Sequence, residues 1–327
     1  MASFRQHGNG WQARVRRQGY PDQTKTFESK TDAEKWARSV ESEIDKGQFT
    51  SIYEAQRTSL GDLIARYLVE VTPTMKGATE DTIRLKAIMR KPISRWSMAN
   101  LSAARIAAYR DQRLKEVSAG TVIRELAYLS AIINHARREW GINVPNPVQM
   151  VRKPQSPQAR SRVLTDEEAT RLLSALEPIG RRSQWIKPAV QLALATAMRR
   201  GELLSLRWEH VDLQSRTAFL TDSKNGDPRT VPLSSEAVQL LSALPRHISG
   251  FVIPVKAFTL DAAFKRGLLR CHLLDVRFHD LRRSAITNMA RKLPNVIELA
   301  AVSGHKSLMV LKTYYRPSAT ELAQKLG

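Results

Sequence analysis

Polar and apolar residues alternate with a period of two at the start of the chain. Ser3–Gln6 and the run Trp11–Arg17 flank Asn9-Gly10, a dipeptide favoured in two-residue hairpin loops. Gly19-Tyr20-Pro21-Asp22 supplies a second turn before a short strand, Thr24–Phe27. Thr31-Asp32-Ala33-Glu34 has the form of a capping box, so a helix is predicted to open there and to stop at Gly47. Residues 1–50 therefore read as a small β-β-β-α module.

From residue 58 the period lengthens to that of a helix. Ser59-Leu60-Gly61-Asp62 is a second capping box, and Leu63, Ile64, Tyr67 and Leu68 follow as an apolar stripe. Further helices are predicted at Thr79–Arg90, Ser102–Glu116 and Thr121–Trp140. The last carries Val122, Leu126, Leu129, Ile133, Ala136 and Trp140 at helical spacing, with Gly141 closing it. By count this is a four-helix bundle over residues 58–151. Pro145, Pro147, Pro154 and Pro157 then prevent a continuous helix, and residues 152–162 read as a basic linker. Thr165-Asp166-Glu167-Glu168 opens the remaining region, 163–327, which is mostly helical with one hairpin near 217–233. The fold class expected is mainly α with small β elements (α+β).

Composition changes this picture in one respect. The 327 residues, 42% of them hydrophobic, suffice for two or three domains, but 52 basic against 31 acidic residues leave a net charge of +21, which asks for a polyanionic partner. Nucleic acid is the first candidate. A membrane is disfavoured, because the charge-free stretch Pro188–Met198 falls well short of the roughly 20 residues needed to span. The N-terminal segment meets charge and glycine before any apolar run, so the cytosol is the expected location. The excess is uneven: +2 over residues 1–50, +9 over 51–160 and +10 over 161–327. Arg84, Lys86, Arg124 and Arg137 in the helical region are candidates for phosphate or base contacts that spacing does not rank. The single cysteine, Cys271, excludes an internal disulfide and a multi-cysteine zinc site, and a buried structural thiol is its expected role. No internal repeat is present.

In the C-terminal region several residues suit phosphate chemistry. Arg199 follows the apolar run Ala189–Met198 and stands one turn before Glu202, a pair that serves either structure or the aiming of a guanidinium. Lys224 lies at the hairpin tip Thr221–Gly226, where lysines are usually solvated. His279 and Arg282 share one helical face, Gly304-His305 joins two helices, and Tyr314 follows nine residues on. Singly, each reads as surface or packing.

Together, Thr196-Ala197-Met198-Arg199-Arg200-Gly201-Glu202-Leu203, Lys224, His279-x-Leu281-Arg282, Gly304-His305 and Tyr314 resemble, in this order and spacing, the tyrosine recombinases or phage-type integrases. The resemblance covers the whole catalytic domain and extends to the domain order: an arm-binding-like module, a helical core-DNA-binding domain, then the catalytic domain at 163–327. Leu206–Leu213 and Val151-Arg152-Lys153-Pro154 resemble, more finely, the plasmid shufflon recombinases.

The family resemblance implies site-specific cutting and rejoining of double-stranded DNA through a 3′-phosphotyrosyl intermediate. It also implies a homotetramer on two synapsed sites, with accessory DNA-bending proteins as further partners. Arg199 and Arg282 would neutralise the non-bridging oxygens, Tyr314 would attack, His279 would act as base or proton relay, Lys224 would protonate the leaving 5′ oxygen, and His305 would donate to the same phosphate. Glu202 would orient Arg199 or His279 from behind. No cofactor and no metal is expected, since the chain has no Gly-x-x-x-x-Gly-Lys-Ser/Thr loop and no acidic cluster suited to two metals. Ala197 stands where the family usually has glycine, and Arg283 where histidine commonly follows the arginine. Adjacent helical side chains diverge by about 100°, so one of Tyr314 and Tyr315 faces the phosphate, and spacing from His305 selects Tyr314. The rival class is a DNA-binding regulator without catalysis on the same scaffold.

Overall fold

A computed structural model describes residues 2–20, 22–45, 52–142, 144–158, 160–221, 228–311, 314 and 319–326. The chain divides into two compact units, Met1–Ala159 and Arg160–Gly327. The first holds two separate apolar clusters. One lies between strands β1 (Ala2–His7), β2 (Gly10–Val15) and β3 (Gln23–Phe27) and helix α1 (Lys30–Asp45).

The strands pair antiparallel in the order β1-β2-β3, with Phe4 opposite Ala13 and Ala13 opposite Lys25. Ala13 and Val15 face the helix residues Ala33, Ala37, Val40 and Ile44. The opposite face of the sheet carries Ser3, Arg5, Gln12, Arg14, Thr24 and Thr26. Two details differ from the sequence reading. His7 pairs with Gly10, so the loop is Gly8-Asn9, with Gly8 supplying the positive φ of 57°. Gly10 begins β2, where an added Cβ would fall 2.6 Å from the Phe27 carbonyl oxygen. Helix α1 opens earlier than Thr31, because Ser29 Oγ accepts from the Asp32 amide at 3.1 Å, a competing Ser-x-x-Asp cap. The predicted stop at Gly47 lies outside the described residues.

The second cluster is built by α2 (Ile52–Arg57), α3 (Leu60–Glu70), α4 (Ala78–Met89), α5 (Ala103–Glu116) and α6 (Ala119–Glu139). The bundle thus has a fifth helix, α2, too short to show a clear period. The capping box at Ser59 forms, with Ser59 Oγ accepting from Asp62 N–H at 3.1 Å and Ser59 N–H donating to the Asp62 carboxylate at 2.8 Å. Val122, Leu126, Leu129, Ile133 and Ala136 form the buried stripe of α6, and Gly141 follows it at φ 67°.

The second unit runs α7 (Asp166–Ala175), α8 (Ile186–Thr196), α9 (Arg200–Ser205), strands β4 (Val211–Asp212), β5 (Thr217–Leu220) and β6 (Arg229–Pro232), α10 (Ser235–Ala243), α11 (Ala257–Arg270), α12 (Phe278–Lys292), α13 (Val296–Ser303), α14 (Leu308–Leu311) and α15 (Ala319–Leu326). The predicted hairpin is two strands of a three-stranded antiparallel sheet, order β4-β5-β6, whose first strand is only two residues long. Helix α8 packs against α10 and α12 at the centre of the core, and Cys271 is buried at the end of α11. The fold is mainly α with two small sheets, as the pattern predicts.

Candidate active site

The end of α8 sets the first half of the site. Ala197 adopts a left-handed conformation (φ 54°, ψ 19°) and is fully buried, which ends the helix. Such a conformation costs an L-residue about 1–2 kcal/mol, which gives a physical reason for glycine at this place in the resembling family. Arg199 then stands extended before α9. Glu202, 4% exposed, turns back to it: its carboxylate accepts from the Arg199 amide at 2.9 Å and from Arg199 Nη1 at 2.7 Å. A third donor arrives from β6, where Arg229 Nη2 lies 2.9 Å from Glu202 Oε2 while its Nη1 donates to the Val302 carbonyl at 2.7 Å. Burial acts to raise the Glu202 carboxyl, but the Arg199 amide, the Arg229 charge and both guanidinium hydrogen bonds outweigh it and hold it below the usual carboxylate range. Glu202 is therefore the ionised centre between two arginines. Arg229 was not among the residues singled out in the sequence. A lone arginine opening a strand reads as solvated, and only the fold brings it to Glu202.

Helix α12 supplies the second half. Its N-terminus repeats the device of α9: the buried Asp280 carboxylate accepts from the Arg277 amide at 2.9 Å and from Arg160 Nη2 at 3.0 Å. Arg282 is 3% exposed and donates through Nη1 to the Ala197 carbonyl and through Nη2 to the Ser303 carbonyl, the latter at 2.6 Å. Burial, then repulsion from Arg199, lowers its pKa to about 10, so it stays charged at neutral pH. His279 is exposed on the pocket wall. Desolvation by the protein around it, followed by the Arg282 charge, holds its imidazole below the usual 6.5 and neutral at pH 7. Met198, Arg199, Arg200, Gly201, Phe278, His279 and Arg282 line an open pocket of about 360 Å³.

His305 follows Gly304, which closes α13 at φ 67°. The Ser303 hydroxyl gives its one proton to the Leu299 carbonyl at 2.6 Å, so the 2.8 Å contact with His305 Nδ1 is a donation from the ring. This assigns the Nδ1–H tautomer and leaves Nε2 unprotonated. Burial and the charges of Arg282, Arg199 and Arg229 push the imidazole down to about 4. Tyr314 packs its ring 5.6 Å from that of His305, and the Arg283 guanidinium sits 4.6 Å from the Tyr314 ring centroid. Arg199, Glu202, His279, Arg282, His305 and Tyr314 thus come together in one unit. Lys224 and Tyr315 lie outside the described residues.

Comparison with known proteins places the chain in a family. Residues 162–321 match the model of the phage integrase family, and residues 56–154 match that of the phage integrase N-terminal domain. The chain belongs to the phage integrase family of tyrosine recombinases, and its class is that of site-specific recombinases. A putative integrase/recombinase of Haemophilus influenzae is 35% identical over 98% of this chain and 89% of that protein. The shufflon-specific DNA recombinase of Escherichia coli is 38% identical over 83% of this chain and 72% of its own length. Among solved structures, a lambda integrase tetramer bound to a Holliday junction matches with a TM-score of 0.65 and 20% identity, covering 94% of this chain and 93% of that one.

Proposed function

We propose that this recombinase cleaves and rejoins duplex DNA with Tyr314 as nucleophile. The observation that carries the assignment is the convergence of Arg199, Arg282 and His279 on one pocket, with Tyr314 and His305 packed together in the same unit. Arg199 and Arg229 bond the Glu202 carboxylate, whereas Arg282 bonds only carbonyl oxygens, so the cluster of three guanidinium groups has room for the negative charge that a phosphodiester would bring.

In the reaction proposed, the Tyr314 phenol oxygen attacks phosphorus and gives up its proton to neutral His279. The P–O5′ bond breaks, and the departing 5′ oxygen takes a proton from Lys224. One phosphodiester is exchanged for another, so rejoining runs the same steps backwards without ATP. Arg199 and Arg282 hold the non-bridging oxygens, Glu202 fixes Arg199, and His305 donates from Nε2 once the phosphate has drawn a proton onto it.

Residues 58–151 are read as the core-DNA-binding domain, 152–162 as the linker and 163–327 as the catalytic domain. Residues 1–50 form an arm-binding-like module whose polar sheet face, with Arg5, Gln12 and Arg14, would meet a separate DNA segment. A tetramer on two sites, with accessory bending proteins and a cytoplasmic setting, completes the proposal.

The test is a nicked target duplex incubated with protein in excess chelator, followed by denaturation. Wild type and Tyr315→Phe should give a covalent adduct and Tyr314→Phe none. Adduct with Tyr314→Phe and none with Tyr315→Phe would overturn the nucleophile. DNA binding with no adduct from the wild type would favour the regulator.

A further inference from the structure

A second basic pocket lies on the catalytic unit, and no role assigned above uses it. It encloses about 440 Å³ and is lined by Arg181, Arg182, Arg266 and Arg270 over an apolar floor that includes Leu176 and Ile186. Its lining shares no residue with the pocket of Arg199 and Arg282. The close approach of two helices builds it. An added Cβ at Gly267 of α11 would fall 2.5 Å from Leu176 Cδ2, so α11 sits against the end of α7 at a distance where a larger residue would have to displace the Leu176 side chain. That contact sets Arg266 and Arg270 beside the segment that carries Arg181 and Arg182.

The four guanidinium groups have no carboxylate among the described residues lining the pocket. The acids nearest in sequence are engaged elsewhere: Glu177 by Lys187, and Asp261 by Arg200. Arg270 is anchored by Nε and Nη2 to the Ala175 carbonyl at 3.0 and 2.6 Å. Burial, then repulsion from Arg182 and Arg266, depresses its pKa, the mark of a cluster of like charge without a counter-ion. Planar forks converging on one cavity match phosphate oxygens, and an apolar floor suits the carbon face of a sugar.

We propose that this pocket is a second phosphate site of the catalytic unit, filled by a backbone phosphodiester of the bound duplex other than the one cut. The proposal rests on the reading of the chain as a DNA recombinase. A phosphate held here contributes affinity and register, and takes no part in bond breaking.

The experiment compares wild type with Arg182→Ser/Arg266→Ser, two exposed positions, leaving the anchored Arg270 in place. Each lost phosphate contact should reduce the slope of log affinity against log salt by about 0.9. The double variant should therefore lose about one to two units of slope, with the rate of adduct formation on saturating DNA unchanged. Arg291→Ser/Lys292→Ser removes the same charge elsewhere on the unit and should lose less than half as much. An unchanged slope, or an equal loss in the control, would sink the proposal. Inorganic pyrophosphate supplies the other arm. If it raises the melting temperature of wild type but not of the double variant, while the DNA slopes agree, the pocket holds free anions and the duplex assignment is wrong. If no protein forms an adduct but the slope still falls, the phosphate site stands and the recombination chemistry fails.

Discussion

The helical bundle buries neutral polar side chains, Thr72, Ser94 and Asn146, each bonded within its own fold, whereas the catalytic unit buries Glu202, Asp280 and Arg282. Among the described residues, the bundle's most sheltered ion pair, Arg113 with Glu125, keeps side-chain exposures of 11% and 13%. Burying an ion costs several kcal/mol unless geometry and hydrogen bonds compensate. One unit places its surplus charge on the surface, where it can attract a duplex. The other takes charge inside, where a fixed guanidinium in low dielectric acts strongly on a reacting phosphate.

The largest effect should come from Arg282→Ala. It removes the proposed phosphate ligand and strips the Ala197 and Ser303 carbonyls of their donor. Cleavage should fall by at least about 10² to 10³, the usual loss for one preorganised donor, and stability by about 1–3 kcal/mol for the groups left unpaired. Ile133→Ala in the bundle, at a residue of 0% exposure, should cost about 2–5 kcal/mol. Single-turnover cleavage on saturating DNA, measured below its melting temperature, should nevertheless match wild type. Equal slowing by both variants would dissolve the distinction between the units.

A closer pairing sets Arg229 against Arg113, each a guanidinium bonded to a glutamate. Arg229→Gln should slow cleavage by about 10- to 100-fold, the rate equivalent of a charge-assisted hydrogen bond worth 1.5–3 kcal/mol, with DNA affinity nearly kept. Arg229→Lys should recover only part of the rate, since an ammonium is a point charge where a fork joins Glu202 to the Val302 carbonyl. Arg113→Gln should lower the melting temperature and leave the chemistry alone. If Arg229→Gln merely lowers the melting temperature too, Arg229 is structural and does not position Arg199.

Acid should act on the catalytic unit through His305. Its imidazole titrates near 6.5 unfolded and at about 4 folded, so between those values the unfolded chain binds the extra proton. Stability is complete above pH 6.5, is lost as pH falls towards 4, and levels off below. His279 shifts in the same direction and adds to the slope. Melting curves of wild type and His305→Gln from pH 7 to 4 should converge as the pH drops. Parallel curves would show that His305 is not held neutral.

Much of this was legible in order and spacing, because local rules act over a few residues. The Ser59 and Thr165 caps, the α6 stripe and the six described site residues depend on intervals the chain itself displays. The misreadings were also local. Two Ser/Thr-x-x-acid patterns overlap at 29–34, and Ser29 takes the cap. Two glycines flank Asn9, and Gly8 takes the positive φ. What the sequence could not display was pairing at long range. Arg229 meets Glu202 across 27 residues and Val302 across 73, and the four arginines of the second pocket come from segments that only the contact at Gly267 joins.

The smallest effect expected separates the bundle's own arginines. Arg84 is held by Asp81 at 3.2 Å and Tyr128 Oη at 3.3 Å, while Arg137 is exposed on the last turn of α6. Arg84→Ala should cost about 0.5–1.5 kcal/mol of stability through lost hydrogen bonds. Arg137→Ala should leave the melting temperature alone and reduce the salt slope of DNA affinity by about one if its charge meets a phosphate. Neither should alter adduct formation once DNA saturates the protein. A slower adduct rate for Arg137→Ala under those conditions would mean that a surface charge of the helical bundle reaches into the chemistry, against the contrast between surface and buried charge drawn for the two units.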